Sequence, residues 1–159
     1  MLALSIIALL TTASVPAQAQ EELQAAAPVS QALGQSWNVL SRSSTTVYMV
    51  DVNAIKQQDG ITTVYVARVP AQGDAADKTH SLTELNLRCS ANQSKTGTEI
   101  YFGANGIEEE RIPNEYSFER ITANSLDAYV KSIVCDNDRS TVTYDSIEAF
   151  INAGRPNAN

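Results

Sequence analysis

Residues 45–69 read TTVYMVDVNAIKQQDGITTVYVARV, and this stretch decides the fold class. Two β-branched and aromatic runs, 45–51 and 61–69, flank a polar connection that holds Asp59-Gly60, a turn pair. In the second run, Val64 and Val66 fall on one face and Tyr65 on the other, the period-two pattern of a strand. The runs are expected as antiparallel neighbours, joined by a connection longer than a minimal hairpin. Asp51 interrupts the otherwise apolar run 47–52. A carboxylate there reads either as a catalytic acid or metal ligand, or as the end of the strand. No histidine, clustered carboxylate or metal pattern accompanies it locally. Asp51 is therefore expected as a structural cap, taking a backbone N–H of Asn53 or Ala54 and letting Ile55 fold back onto the core.

Working outward, WNVLSRS from Trp37 and THSLTELNLRCS before Ala91 also read as strands, the latter delivering Cys89 to the core face. ANQSKTG reads as a turn and TEIYFG, 98–103, as a further strand. Asn105-Gly106 then marks a hairpin into IEEERI, whose charge suits an exposed sheet edge. After residue 121 the period changes. Leu126, Tyr129, Val130, Ile133 and Val134 share a helical face, with Asn124 or Ser125 as the cap and Asp127 in the first turn. Residues 140–144 add a short strand. Ile147, Phe150 and Ile151 mark a second helix with capping-box spacing between Asp145 and Glu148, ended by Gly154 and Pro156. The expected architecture is α+β: a mostly antiparallel sheet packed with one or two C-terminal helices and one disulfide.

The chain opens MLALSIIALLTTASVPAQA. An apolar run that gives way to Ala17-Gln18-Ala19 has the form of a secretory signal and is too short to span a bilayer. Residues 1–19 are expected as signal peptide cleaved after Ala19, 20–36 as a flexible leader, 37–154 as the domain and 155–159 as a loose tail. The domain is long enough for one hydrophobic core. No cysteine lies near the cleavage site, so no lipid anchor is expected, and the destination is periplasmic or extracellular. The net charge of −7 argues against nucleic acid and anionic membrane as partners.

Cys89 and Cys135 are the two cysteines. An even count in an exported chain suggests a bridge, which would staple the first helix to the sheet and contribute ~4 kcal/mol in the chain-entropy model. C-x-x-C is absent, and two Cys with one His fall short of a zinc site. His80, the single histidine, is expected to be an ordinary surface residue, because its sequence neighbour Ser81 would face the opposite way on a strand. Glu108 to Glu110 lack the alternate spacing of a calcium loop, and Asp136 to Asp138 read as a turn. No phosphate loop, dinucleotide fingerprint or H-E-x-x-H is present. Neither catalytic residues, cofactor nor metal are expected. Tyr101 and Phe102 point to opposite faces, leaving one exposed near the Asn-Gly hairpin.

The order WNVL, VYMVDVNAI, VYVARV, LNLRCS, IYFGANG and ERITANSLDAYVKSIVC resembles the surface-adhesin protein E-like family of bacterial exported domains. The likeness covers Trp37 to Cys135. It implies a Cys89–Cys135 bridge, a strand-end element at Asp51 and Ile55, an antiparallel sheet packed with a helix, and no enzymatic activity. The family's namesake binds host surface and matrix proteins, so the implied partner is a protein of that kind. Ala123 stands where the family often has Pro, and no lipid-anchor Cys is present. A non-enzymatic envelope protein acting through protein contacts is the first expectation. A periplasmic accessory protein that binds a small ligand or peptide is the alternative. A small hydrolase using Asp51 with Glu84 or Glu99 is a third.

Overall fold

The computed structural model describes residues 34–156; the expected signal peptide, most of the leader and residues 157–159 lie outside them. The elements are β1 (Trp37–Arg42), β2 (Thr46–Asp51), β3 (Lys56–Gln58), β4 (Ile61–Pro70), β5 (His80–Arg88), β6 (Gln93–Phe102), β7 (Glu108–Ile112), β8 (Glu119–Arg120), α1 (Leu126–Val134), β9 (Thr143–Tyr144) and α2 (Ile147–Asn152). All strands join one antiparallel sheet in the order β7-β6-β5-β4-β2-β1-β9, with β3 beside β4 and β8 beside β6. The mostly antiparallel α+β architecture read from the sequence is the architecture observed.

The paired runs are β2 and β4, in register from Thr46↔Pro70 to Val50↔Val66. Asp59-Gly60 turns a hairpin that the sequence reading missed: β3 and β4 meet at Gln58↔Ile61. Asp59 at φ 51° and Gly60 at φ 76° supply the two left-handed residues of a type I′ turn. Lys56–Gln58 has no apolar residue, so only its pairing with β4 makes it a strand. Two further segments were also expected otherwise. Gln93 to Gly97 extend β6 rather than forming a turn, because the reversal is confined to four residues between Arg88 and its partner Gln93. Asn92, at φ 51°, supplies the left-handed position there. A Cβ on Gly97 would come within 2.6 Å of Glu84 Oε1, so a larger residue at this strand position would displace the end of the Glu84 side chain.

The sheet buries both faces, which replaces the single expected core with two. On one, Val39, Val47, Met49, Ala67 and Ile100 pack under α2, whose Ile147, Phe150 and Ile151 are buried. On the other, Val50, Val64, Val66, Leu85 and Leu87 pack under Val130, Ile133 and Val134 of α1. Burial on both sides is why the central run VYMV lacks polar alternation. The expected helical stripe is right except at Tyr129, which is 46% exposed.

Ser125 caps α1 by accepting Ala128 N–H, and Asp127 lies in the first turn, where the helix dipole favours an anion. Cys135 follows the last turn and is bonded to Cys89, just past β5, with Cα atoms 5.8 Å apart. The bridge therefore staples α1 to the sheet. Ser146, rather than Asp145, caps α2 through Ala149 N–H. Gly154 at φ 82° leaves the helix in left-handed backbone.

The domain extends beyond its expected limits at both ends. Arg155 is 4% exposed, and its guanidinium donates to Gly73 O (2.9 Å), Asp74 O (3.2 Å) and Asp77 O (2.8 Å). Arg42 in turn donates to the carbonyls of Arg155, Pro156 and Ala71. Residues 155 and 156 are thus packed rather than loose. At the other end, Ser36 N donates to Asp51 Oδ1, and Val52 N donates to Ser36 O at 2.9 Å. The last leader residues are bonded to the end of β2.

Candidate functional site

A cleft of about 650 Å³ opens on the α2 face. Its floor is the sheet, where alternation brings Trp37, Tyr65, Leu82 and Phe102 to one side. Its walls are the start of α2, the loop before β5 and the tip of the β6–β7 hairpin. Each wall has a local cause. Arg155 fixes the loop by binding three of its carbonyls. The hairpin tip closes through Gly106 N→Gly103 O and Gly103 N→Ile107 O, with Gly106 at φ 75°. Lys78 N also donates to Ala104 O at 2.9 Å, which joins these two walls.

His80 stands at the edge of this floor. Its ring stacks on Phe102 with centroids 4.3 Å apart and planes 6° from parallel. Nδ1 lies 2.7 Å from Lys78 O, a contact that requires the N–H tautomer at Nδ1 and leaves Nε2 as the acceptor. Burial holds the imidazole pKa below its ordinary value, against the smaller opposing pull of the Lys78 carbonyl. The ring is therefore neutral at pH 7, and partly buried rather than on the surface as expected. Tyr65 is pushed up, first by burial and then by the nearby Glu84 carboxylate, so its phenol stays protonated.

Asp51 Oδ1 accepts Asn53 N–H at 3.0 Å and Ser36 N–H at 2.9 Å. The first bond is an Asx-turn at the end of β2; the second ties in the residue before β1. Asp51 also lines the cleft while being only 4% exposed, a placement with no local signal in the sequence. Glu84 and Glu99 do not join it there. Glu84 Oε1 accepts from Asn86 and Glu99 Oε2 from Tyr101, so the three carboxylates considered for hydrolysis have separate surroundings. Among the described residues no group of three His, Cys, Asp or Glu side chains is placed to hold a metal ion.

The remaining charges at the cleft are matched within the protein. Lys78 Nζ donates to Ala75 O at 2.6 Å and to Asn152 Oδ1, and lies 3.7 Å from Glu148. Glu108 holds Arg111 through two hydrogen bonds of 2.8 and 2.9 Å.

β7 forms one edge of the sheet, and its first residue, Glu108, lines the cleft with Ile107 before it. It carries the expected charge, but farther from the cleft Ile112 is 37% and Tyr116 61% exposed. Tyr101 is exposed as well, on the face opposite Phe102. A second, shallower depression of about 530 Å³ lies beside α1, bordered by Arg120 and Lys131. No helix among the described residues is long and apolar enough to cross a membrane.

Compared with protein-family models, with curated proteins and with solved structures, the chain finds no match in any of the three.

Proposed function

We propose that this chain is an exported, non-enzymatic binding protein of the bacterial envelope that takes a small ligand in the cleft on the α2 face. The observation that carries this reading is the cleft itself. Its volume of about 650 Å³ lies in the range of small-ligand sites, and it combines an apolar floor with a few polar groups. Separate segments wall it, and they are held by Arg155 and by the Lys78–Ala104 hydrogen bond. Support for export comes from the signal-like N-terminus and the Cys89–Cys135 bridge, which suits an oxidising compartment. Support for a non-catalytic role comes from His80, which has an aromatic ring on one side and a backbone carbonyl at Nδ1, with no nucleophile among the described residues bonded to it.

Native mass spectrometry of protein purified from the periplasm tests the assignment. A small molecule should accompany the wild type and be lost when Ala76→Phe and Ala104→Phe together narrow the cleft mouth, with the melting temperature unchanged. A ligand that survives this narrowing places the binding site elsewhere.

A second reading follows the likeness to surface-adhesin protein E: contact with a host or envelope protein. The apolar residues of the β7 edge favour it, since an edge strand with exposed Ile112 and Tyr116 beside it suits strand addition. Replacing Ile112 and Tyr116 by Ser should abolish capture of such a partner in a pull-down while leaving the cleft ligand bound.

A further inference from the structure

Among the charged groups lining the cleft, Asp51 is the one that is buried, and half of its carboxylate is free of protein donors among the described residues. It is 4% exposed, and both of its hydrogen bonds end on Oδ1. Oδ2 has no partner among the described residues. Every other full charge at the cleft is already answered: Lys78 by Glu148, Asn152 and Ala75 O, and Glu108 by Arg111. His80, held neutral, adds no positive charge to offset the carboxylate. The local balance at the Asp51 end is therefore one negative charge with half of its hydrogen-bonding capacity unspent.

Beside Asp51 is an apolar and aromatic floor. Trp37 pairs with Asp51 across β1 and β2, and Leu82 and the His80–Phe102 stack continue the surface. A carboxylate oxygen that no described residue reaches is open to a ligand in the cleft, and a donor cation brought to it forms a charge-assisted hydrogen bond. We infer that the cleft selects organic cations: a protonated primary amine donates to Asp51 Oδ2 while an apolar or aromatic body lies on the floor. The inference rests on the cleft being the binding site and adds the charge of the ligand that enters it.

The test uses three probes of similar size: 2-phenylethylamine, 2-phenylethanol and 3-phenylpropionate, at pH 7. Trp37 is the only tryptophan and lines the cleft, so its fluorescence and indole N–H resonance report binding there. The amine should bind about tenfold or more tightly than the alcohol, and the carboxylate most weakly. Asp51→Asn keeps an Oδ1 acceptor for Ser36 and Asn53 but removes the charge. It should bring the amine to the affinity of the alcohol and leave the alcohol unchanged. Equal binding of amine and alcohol by the wild type, or a preference for the carboxylate, overturns the inference and leaves the cleft as a binding site. No response of Trp37 to any probe at 10 mM, on the order of the weakest useful affinities, overturns the cleft assignment and the inference with it. An Asp51→Asn variant that fails to fold does not remove the test, because the ranking of probes on the wild type decides it.

Discussion

The two faces of the sheet are built by different means. On the α1 face, a helix of nine residues closes over a continuous apolar cluster, and a covalent bond holds its last turn to the end of β5. On the α2 face, a helix of six residues covers part of the sheet, and polar contacts from Arg42 and Arg155 hold the adjoining loop. Where the cover is covalent, a shallower depression lies beside the helix. Where it is short and polar-anchored a cleft remains. The contrast separates the part of the molecule that secures the fold from the part where we propose that a ligand binds.

Removing the bridge should have the largest effect. Cys89→Ser with Cys135→Ser should lower stability by about 4 kcal/mol, the chain-entropy value for a loop of this length. In the folded variant, resonances of Val130 and Ile133 should shift while those of His80 and Phe102 stay in place. Equal disturbance of both faces would end the distinction. Arg155→Met acts on the other face. It removes three hydrogen bonds from a charged donor and should cost about 2–3 kcal/mol. Hydrogen exchange should rise at residues 73–78 and not in α1. Loss confined to α1 would contradict the anchoring role.

The smallest effect is a pH dependence of the α2 face. His80 has a folded pKa below its ordinary value of 6.5, so the unfolded chain takes up its proton first as the pH falls. Stability should be fully present above 6.5 and decline as the pH drops from there towards the lowered folded value. Urea unfolding at pH 7.5 and 5.5 reads this difference, and His80→Phe should reduce it. Asp77, lowered mainly by its bonds to Thr79, acts in a separate window, below its ordinary 3.8. An unchanged slope in His80→Phe would assign the dependence to other groups.

Much of the α1 face was legible in the sequence because its determinants are local. Val64 and Val66 alternate, Ser125 precedes an apolar stripe, and an even pair of cysteines accompanies a signal-like leader. The elements that escaped depend on distant partners. Lys56–Gln58 is a strand only because β4 lies beside it. Glu119–Arg120 pairs with the start of β6 across the chain, with no pattern of its own. Arg155 looks like a terminal charge in the sequence, yet its partners lie 78 to 82 positions away. The candidate site was legible only as fragments. Asp51 was recognised as punctuation for β2, but its place at the cleft exists only once β1, β4 and α2 line the same space. The neutral, stacked His80 likewise depends on Phe102, its register partner on β6.

The bridge between Cys89 and Cys135 has a further consequence for biogenesis. With two cysteines in the sequence, an individual chain has one way to pair them. On the proposed route of export, a new chain needs an oxidant but no reshuffling of mispaired thiols. Cys135 is also the last residue to emerge of the covalent ring that encloses β6, β7 and β8. On that proposed route, oxidation can complete only after those strands have left the translocation channel, so ring closure marks the point at which most of the sheet is already available to fold.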